Sequence, residues 1–409
     1  MIHTCRHCDA HLSERFLDLG HAPLSNAYLD AAGLQAAEVT YPLRLNVCTA
    51  CRLVQTEDYT SAADVFGADY AYFSSTSSGW VAHAKRYTDM IVERLDLGPD
   101  SFVIELAAND GYLLQHMKAA GVPCLGVEPT TATADAARAK GIEIIEDFFS
   151  MALVETLTAE GKSADLILGN NVYAHVPDIN DFTRAIATAL KPEGVVTLEF
   201  PHLMRMVEHR QFDTVYHEHF SYLSLMTVQR IFETNGLRVV DVEELPTHGG
   251  SLRVYGCRAD ASHVASGNVA SVLAEERTRG MDTPAFYEGF QAEAEAVKDA
   301  AVRFLLDAKR DGKAVAGYGA AAKGNTLMNF AGIRPDLLPR VHDAALAKQN
   351  MFLPGSHIPI LAPSALDDAR PDYVVILPWN IADEVRAQLS HLAEAGTRFV
   401  TFVPELKIV

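Results

Sequence analysis

No apolar run in this sequence approaches the roughly 18 residues that a membrane-spanning helix needs, so no such span is expected. Positive charge is also scarce. With 34 Lys and Arg against 53 Asp and Glu, the formal net charge is −19, which argues against general binding to nucleic acid or to an anionic membrane. The opening MIHTCRHC lacks an apolar signal region and carries cysteines instead, which predicts a cytoplasmic protein with reduced thiols. A hydrophobic share of 49% with 21% charged residues is the usual globular mix and excludes global disorder. At about 150 residues per domain, 409 residues allow two or three domains.

The six cysteines are unevenly placed. Cys5 and Cys8 form one CxxC, Cys48 and Cys51 a second, and Cys124 and Cys257 stand alone. Four thiolates suit Zn²⁺, and a two-residue spacer lets one turn present two sulfurs to one ion. The 39 residues between Cys8 and Cys48 exceed the roughly 15–20 of a compact ribbon, so the looped-out FLDLGHAPLSNAYL must pack around the site. A closed structural zinc is expected; a redox dithiol is the alternative. Further on, the Ser/Thr/Gly cluster at 74–79 predicts the cap of an amphipathic helix carrying Val81, Ala84, Tyr87, Ile91 and Leu95.

From residue 101 strands alternate with helices, which predicts an α/β, doubly wound parallel sheet with ligands at the carboxyl ends of its strands. The first strand ends at Glu105, turns through AANDG with Ala107, Asn109 and Gly111, and enters a helix; the second ends at Glu128, 23 positions on. A carboxylate there can accept from ribose hydroxyls. The turn is not GxGxxG, so a nucleoside with an amino-acid tail, S-adenosylmethionine, fits better than a dinucleotide. Asp147 and Phe148 after the third strand could frame its adenine, and Asn170 ends the next strand.

The densest chemistry lies between 170 and 222. His175 follows a strand end, and FDTVYHEHFSYLS sets Tyr216, His217, Glu218, His219 and Tyr222 within seven positions. HEH cannot put three ligands on one helix face, so general acid/base work is the better reading. Near the carboxyl end, KAVAGYGAAAKGNTLMNFAG resumes strand, turn and helix, with Gly317, Gly319, Lys323 and Asn325 grouped there and Lys348 adding charge. Such a turn could hold the diphosphate of a substrate. NAD is the rival, with Asp343 as its ribose ligand, although the third glycine is missing.

The order CxxC, CxxC, DYAYFSSTSS, ELAANDGYLLQ, GVEP, NNVYAHVPD, FDTVYHEHFSYLS, THGGSLRVY, GYGAAAKGNTLMN resembles the nucleotide-sugar C-methyltransferase family, whose members methylate C-3 of dTDP-4-keto deoxysugars. The resemblance implies a zinc-binding domain at 1–68, a class I methyltransferase domain at 69–260, and a helical linker with a Rossmann-like nucleotide-sugar-binding domain at 261–409. It implies His219 as catalytic base, with Tyr216 and Glu218 in the same motif, His175 at the sugar keto group, and one of Tyr70 and Tyr72 in the active site. Ala107 and Ala108 depart from the glycines common in the family's cofactor loop. The expected chemistry is base-generated enolate formation at C-3 followed by methyl transfer, with Glu218 orienting His219, and His175 and Tyr216 donating to the enolate oxygen. The expected partner is a dTDP- or GDP-linked sugar, and the expected state a monomer or dimer. O- or N-methylation of a small molecule is the alternative, with an NAD-dependent oxidoreductase behind it.

Overall fold

The computed structural model describes residues 4–59 and 73–409. Near-continuous apolar runs such as Val103–Leu106 and Ala164–Asn170 form strands buried on both faces, as parallel sheets demand. The central sheet holds β4 (Val103–Leu106), β5 (Cys124–Val127), β6 (Glu143–Ile145), β7 (Ala164–Asn170), β8 (Leu190–Pro201), β10 (Leu237–Leu245) and β11 (Ser251–Arg258). Its order is β10-β11-β8-β7-β4-β5-β6. The strands from β6 to β8 are parallel, and β11 runs antiparallel to both its neighbours. The chain winds outward from β4 first one way and then the other, so the topological switch point lies at the carboxyl end of β4, where ligands of open α/β sheets bind. The expected class I methyltransferase architecture is thus present.

The amino-terminal module is a four-stranded antiparallel sheet in the order β1 (Glu14–Ala22), β2 (Tyr41–Val47), β3 (Val54–Thr56) and β9 (Ser221–Tyr222). The last strand comes from the YHEHFSY motif, and it pairs Val54 with Tyr222 and Gln55 with Ser221. The carboxy-terminal sheet has the order β14 (Ile360–Leu361), β13 (Val341–His342), β12 (Val315–Tyr318), β15 (Tyr373–Ile376), β16 (Arg398–Thr401) and β17 (Lys407–Ile408), parallel except for β17.

The helix after the Ser/Thr/Gly cluster spans Ser78–Arg94; the Ser77 hydroxyl accepts from Trp80 N–H at 3.2 Å, and Ala84, Tyr87 and Ile91 are buried. The region 261–312 is two helices, Gly267–Thr278 and Phe290–Arg310, because Gly280 and Pro284 interrupt it. The second lies on the zinc module: Phe290 stacks on Phe16 with centroids 5.0 Å apart. One apolar core runs through all three sheets, from Leu17 and Leu45 through Phe200 and Phe232 to Leu305 and Leu327. Among the described residues no helix is long and apolar enough to cross a membrane.

Candidate active site

Cys5, Cys8, Cys48 and Cys51 converge with all four sulfurs within 4.8 Å of one another. Two pairs stand at 3.5 Å, far beyond the roughly 2.05 Å of a disulfide and close to the roughly 3.8 Å that tetrahedral Zn–S bonds of about 2.3 Å imply. The residues therefore fit zinc. The Gln55 amide donates to Cys5 Sγ at 3.2 Å, the supporting bond that such a thiolate needs. His7 is engaged elsewhere, by Asn180 at 2.9 Å.

Glu105 is the penultimate residue of β4, Glu128 directly follows β5, Asn170 ends β7, and Asp147 with Phe148 follows β6, so the expected cofactor residues stand along the carboxyl edge of the sheet. In the turn after β4, Ala107, Asn109 and Gly111 all take left-handed backbone, at φ 53°, 50° and 73°. The Glu128 carboxylate fixes this turn by accepting from Asn109 N–H at 2.9 Å, while its other oxygen accepts from Thr130 N–H and the Thr133 hydroxyl, both at 3.0 Å. Two residues that sequence reasoning missed cover the turn: Ser74 N–H donates to the Asn109 side chain at 2.8 Å, and the Ser75 hydroxyl donates to Asp110. Burial first, and the Glu128 charge second, raise Glu105 well above the usual carboxylate range.

Glu105 Oε2, Asp110 Oδ1 and Asn170 Nδ2 are buried with no hydrogen-bond partner among the described residues. Acceptors and a donor left unsatisfied along one edge fit a ligand carrying an amino group and hydrogen-bond acceptors, as S-adenosylmethionine does. Phe148 is 43% exposed, an apolar surface beside them.

The residues expected to do acid/base work meet in one cluster. The His219 ring lies 4.5 Å from that of His175, 4.0 Å from that of Tyr216 and 5.9 Å from that of Tyr222. Nδ1 of His219 is 3.1 Å from the Thr214 carbonyl. A carbonyl can only accept, so Nδ1 carries the proton and Nε2 holds the lone pair. Burial, aided by His175, holds His219 well below the usual imidazole range, and burial pushes His175 down to about 4. Both rings are therefore neutral near pH 7.

The expectation that Glu218 orients His219 is corrected: its carboxylate accepts from Asn26 of the zinc module at 2.8 Å, and the Thr214 carbonyl does the orienting. His217 points into the same module, with Nε2 3.2 Å from the Pro42 carbonyl. The SNAY segment that carries Asn26 lies in the looped-out stretch between the CxxC pairs, and that position was its one sequence signal. Tyr70 and Tyr72 lie outside the described residues.

The carboxy-terminal candidates divide. Gly319 has φ 87° and a Cβ there would lie 2.4 Å from Pro378; a Cβ on Gly317 would lie 2.8 Å from Val341. Asn325 donates to the Ser25 carbonyl at 2.7 Å. These three are accounted for by packing between elements. Ala320 N–H donates to Asp343 at 2.7 Å, so that carboxylate, the NAD reading's ribose ligand, closes the turn instead. Lys348 donates to the Ala320 carbonyl at 2.8 Å, over the Tyr28 ring.

Lys323 lies within electrostatic reach of His219 and His248. Its Nζ donates to Asn380 at 2.6 Å and stands 4.7 Å over the Trp379 ring. Trp379 Nε1–H in turn donates to buried Asp213 at 2.8 Å, one residue before Thr214. Burial pushes Asp213 up to about 6 against the opposing pull of Lys323. A further carboxylate that the sequence did not single out, Glu199 in β8, is buried and takes bonds from Arg253 at 2.7 Å and Thr247 at 2.9 Å, with His83 at 2.9 Å. Burial opposes its ionisation, but these partners hold it below the usual range.

Against known families, residues 5–66 match a zinc binding domain, 81–242 a methyltransferase domain and 246–404 a C-methyltransferase C-terminal domain. The chain is 34% identical to C-methyltransferase NovU of Streptomyces niveus over 408 residues, 100% of this chain and 97% of that protein. It is 28% identical over 95 residues to a ubiquinone biosynthesis O-methyltransferase of Bartonella tribocorum, covering 23% of this chain and 38% of that one. Among solved structures, magnesium protoporphyrin IX methyltransferase of Synechocystis PCC 6803 with bound SAM aligns with a TM-score of 0.33 and 15% identity, over 48% of this chain and 89% of that one.

Proposed function

Because the chain belongs to the C-methyltransferase family, we propose that it methylates the carbon beside the keto group of a nucleotide-linked deoxysugar, C-3 next to a 4-keto group. It is an S-adenosylmethionine-dependent C-methyltransferase with a zinc-binding domain. The single observation that carries the substrate reading is the neutral His219, proton on Nδ1 and lone pair on Nε2, buried against His175 and Tyr216 at the edge where the cofactor residues stand. A hydrogen on carbon next to a ketone is acidic enough for such a base, and the costly product of its removal is an enolate oxygen.

Bound S-adenosylmethionine supplies an electrophilic methyl group. His219 Nε2 is placed to take the C-3 proton, the C–H electrons passing into the enolate; that carbon would take the methyl as the methyl–sulfur bond breaks, the bond's electrons staying on sulfur and S-adenosylhomocysteine leaving. Tyr216 donates to the developing oxyanion, and His175 is at hand beside it. Lys323 brings a cation from the third domain for the substrate's anionic groups. In the cofactor set, Glu105, Ala107, Asn109, Gly111 and Asn170 would hold the amino-acid end, Glu128 the ribose, and Asp147 with Phe148 the adenine. A buried cluster keeps water from the enolate.

The product decides between this and O- or N-methylation. Incubation with [methyl-¹³C]-S-adenosylmethionine and a panel of dTDP- and GDP-linked 4-keto deoxysugars is expected to give a methyl signal coupled to a quaternary or tertiary ring carbon. A methyl on oxygen or nitrogen would overturn the reading.

A further inference from the structure

The THGG turn between β10 and β11 was singled out in the sequence only as part of a pattern, and the mechanism above leaves its histidine unused. The turn sits at the carboxyl end of β10, on the same edge as Asn170 and Glu128. His248 stands there at φ 53°, a backbone state that costs a β-carbon-bearing residue strain and that glycine would adopt freely. Everything around it is fixed. Thr247 is bonded to Glu199 at 2.9 Å, Gly250 N–H donates to the Thr247 carbonyl at 3.0 Å, and a Cβ on Gly249 would lie 2.4 Å from the Trp379 ring. The surroundings thus hold a strained residue rigidly where a strain-free glycine would fit the same backbone.

What the strain secures is the direction of the imidazole. Its ring packs edge-on against Trp80 at 5.1 Å, and Nε2 is 2.8 Å from the side-chain amide nitrogen of Asn171, directly after the cofactor strand β7. Since that amide donates, Nε2 accepts and the single N–H of the neutral ring is on Nδ1. The ring is neutral because burial pushes it down to about 4, and its charge when protonated would be felt at His219. His248 therefore sits beside the cofactor edge and within electrostatic reach of His219. His219 spends its own N–H on the Thr214 carbonyl, and His175 is hydrogen-bonded to the Glu218 backbone in the sense that favours a donating ring. Of the three histidines, His248 is the one whose N–H meets no carbonyl among the described residues.

We propose that His248 is a further catalytic residue, whose Nδ1–H donates to the carbonyl oxygen of the ketosugar and strengthens that bond as the oxygen becomes an enolate. No proton is transferred from it, so the step balances with His219 as sole base. This rests on the ketosugar reading above. The loss of one such donor commonly lowers a rate by about 10²–10³-fold.

The test uses the full-length protein and a dTDP-4-keto deoxysugar in deuterium oxide, following exchange at C-3 by NMR, with S-adenosylmethionine affinity and melting temperature measured alongside. His248→Gly is expected to slow exchange by at least about 30-fold, to melt no lower than the parent because φ 53° suits glycine, and to bind S-adenosylmethionine within threefold. Added imidazole should restore part of the exchange. His248→Asn, which tolerates left-handed backbone, is the second variant should the glycine variant fail to fold, and the same slowing is expected. Exchange within threefold of the parent in either folded variant overturns the proposal, as does slowing that comes with lost S-adenosylmethionine binding. A parent that exchanges no proton from any such sugar overturns the substrate reading and this one with it; a parent that exchanges leaves the substrate reading standing whatever the variants do.

Discussion

Ala107, Asn109 and Gly111 alternate in left-handed backbone around the cofactor edge, and each answers differently to substitution. Left-handed backbone costs an alanine roughly 1–2 kcal/mol, whereas glycine regains about 0.4–1 kcal/mol of that as freedom in the unfolded chain. Ala107→Gly is therefore expected to leave the melting temperature unchanged or modestly raised, and to keep S-adenosylmethionine binding. Gly111→Ala should do the reverse, since its new Cβ would lie 2.3 Å from Ile142; a loss of at least about 2 kcal/mol and weaker binding by calorimetry are expected. Asn109 needs no remedy, because its residue type is the one besides glycine that visits this region most readily. This alternation was not legible in the sequence: a lone glycine marked the turn, and only the backbone shows that an alanine shares its conformation.

At the scale of elements, the zinc module frames the YHEH motif directly. β3 pairs with β9, Thr56 N–H donates to the Phe220 carbonyl at 3.1 Å, and Asn26 holds Glu218. Two CxxC pairs announced the metal, but no local pattern says that a two-residue strand from position 221 completes a sheet begun at position 14. That pairing depends on contacts far apart in sequence, which periodicity does not encode. The strand–turn–helix signals fared better, since buried parallel strands write themselves as apolar runs; β4, β5, β7 and β8 were all readable. Cys48→Ser, which removes one of four thiolates, is expected to abolish stoichiometric zinc and to cut methyl transfer at least tenfold. S-adenosylmethionine, bound on a different sheet, should still titrate. Retained activity with zinc lost would show that the module does not position the motif.

Across the whole molecule the acidic surface, −19 overall, encloses a seam where the third domain meets the second through Trp379, Asp213 and Lys323. Burial pushes the Asp213 carboxyl up to about 6 from an ordinary 3.8. A raised carboxyl binds protons preferentially in the folded state, so stability falls as pH rises from about 4 to about 6 and is level above that. Two units correspond to about 3 kcal/mol as an upper figure. Asp213→Asn keeps an acceptor for the indole and loses the charge, so its stability relative to the parent should climb through that window and be greatest above pH 6, as denaturant melts at pH 4, 5, 6 and 7.5 would record. A constant difference across the series would contradict this account of the seam. The sequence placed Lys323 in a turn suited to a diphosphate; which side of that turn approaches His219 and His248 is a matter of domain docking and was not readable from it.

The central claim is that His219 is a carbon-directed base, and proton exchange tests it without relying on methyl transfer. The full-length protein and its His219→Asn variant would each be held with a dTDP-4-keto deoxysugar in deuterium oxide, and deuterium at C-3 followed by NMR. The account predicts ready exchange by the parent and a loss of at least about 10²-fold in the variant, with S-adenosylmethionine affinity unchanged. Undiminished exchange in His219→Asn would contradict it.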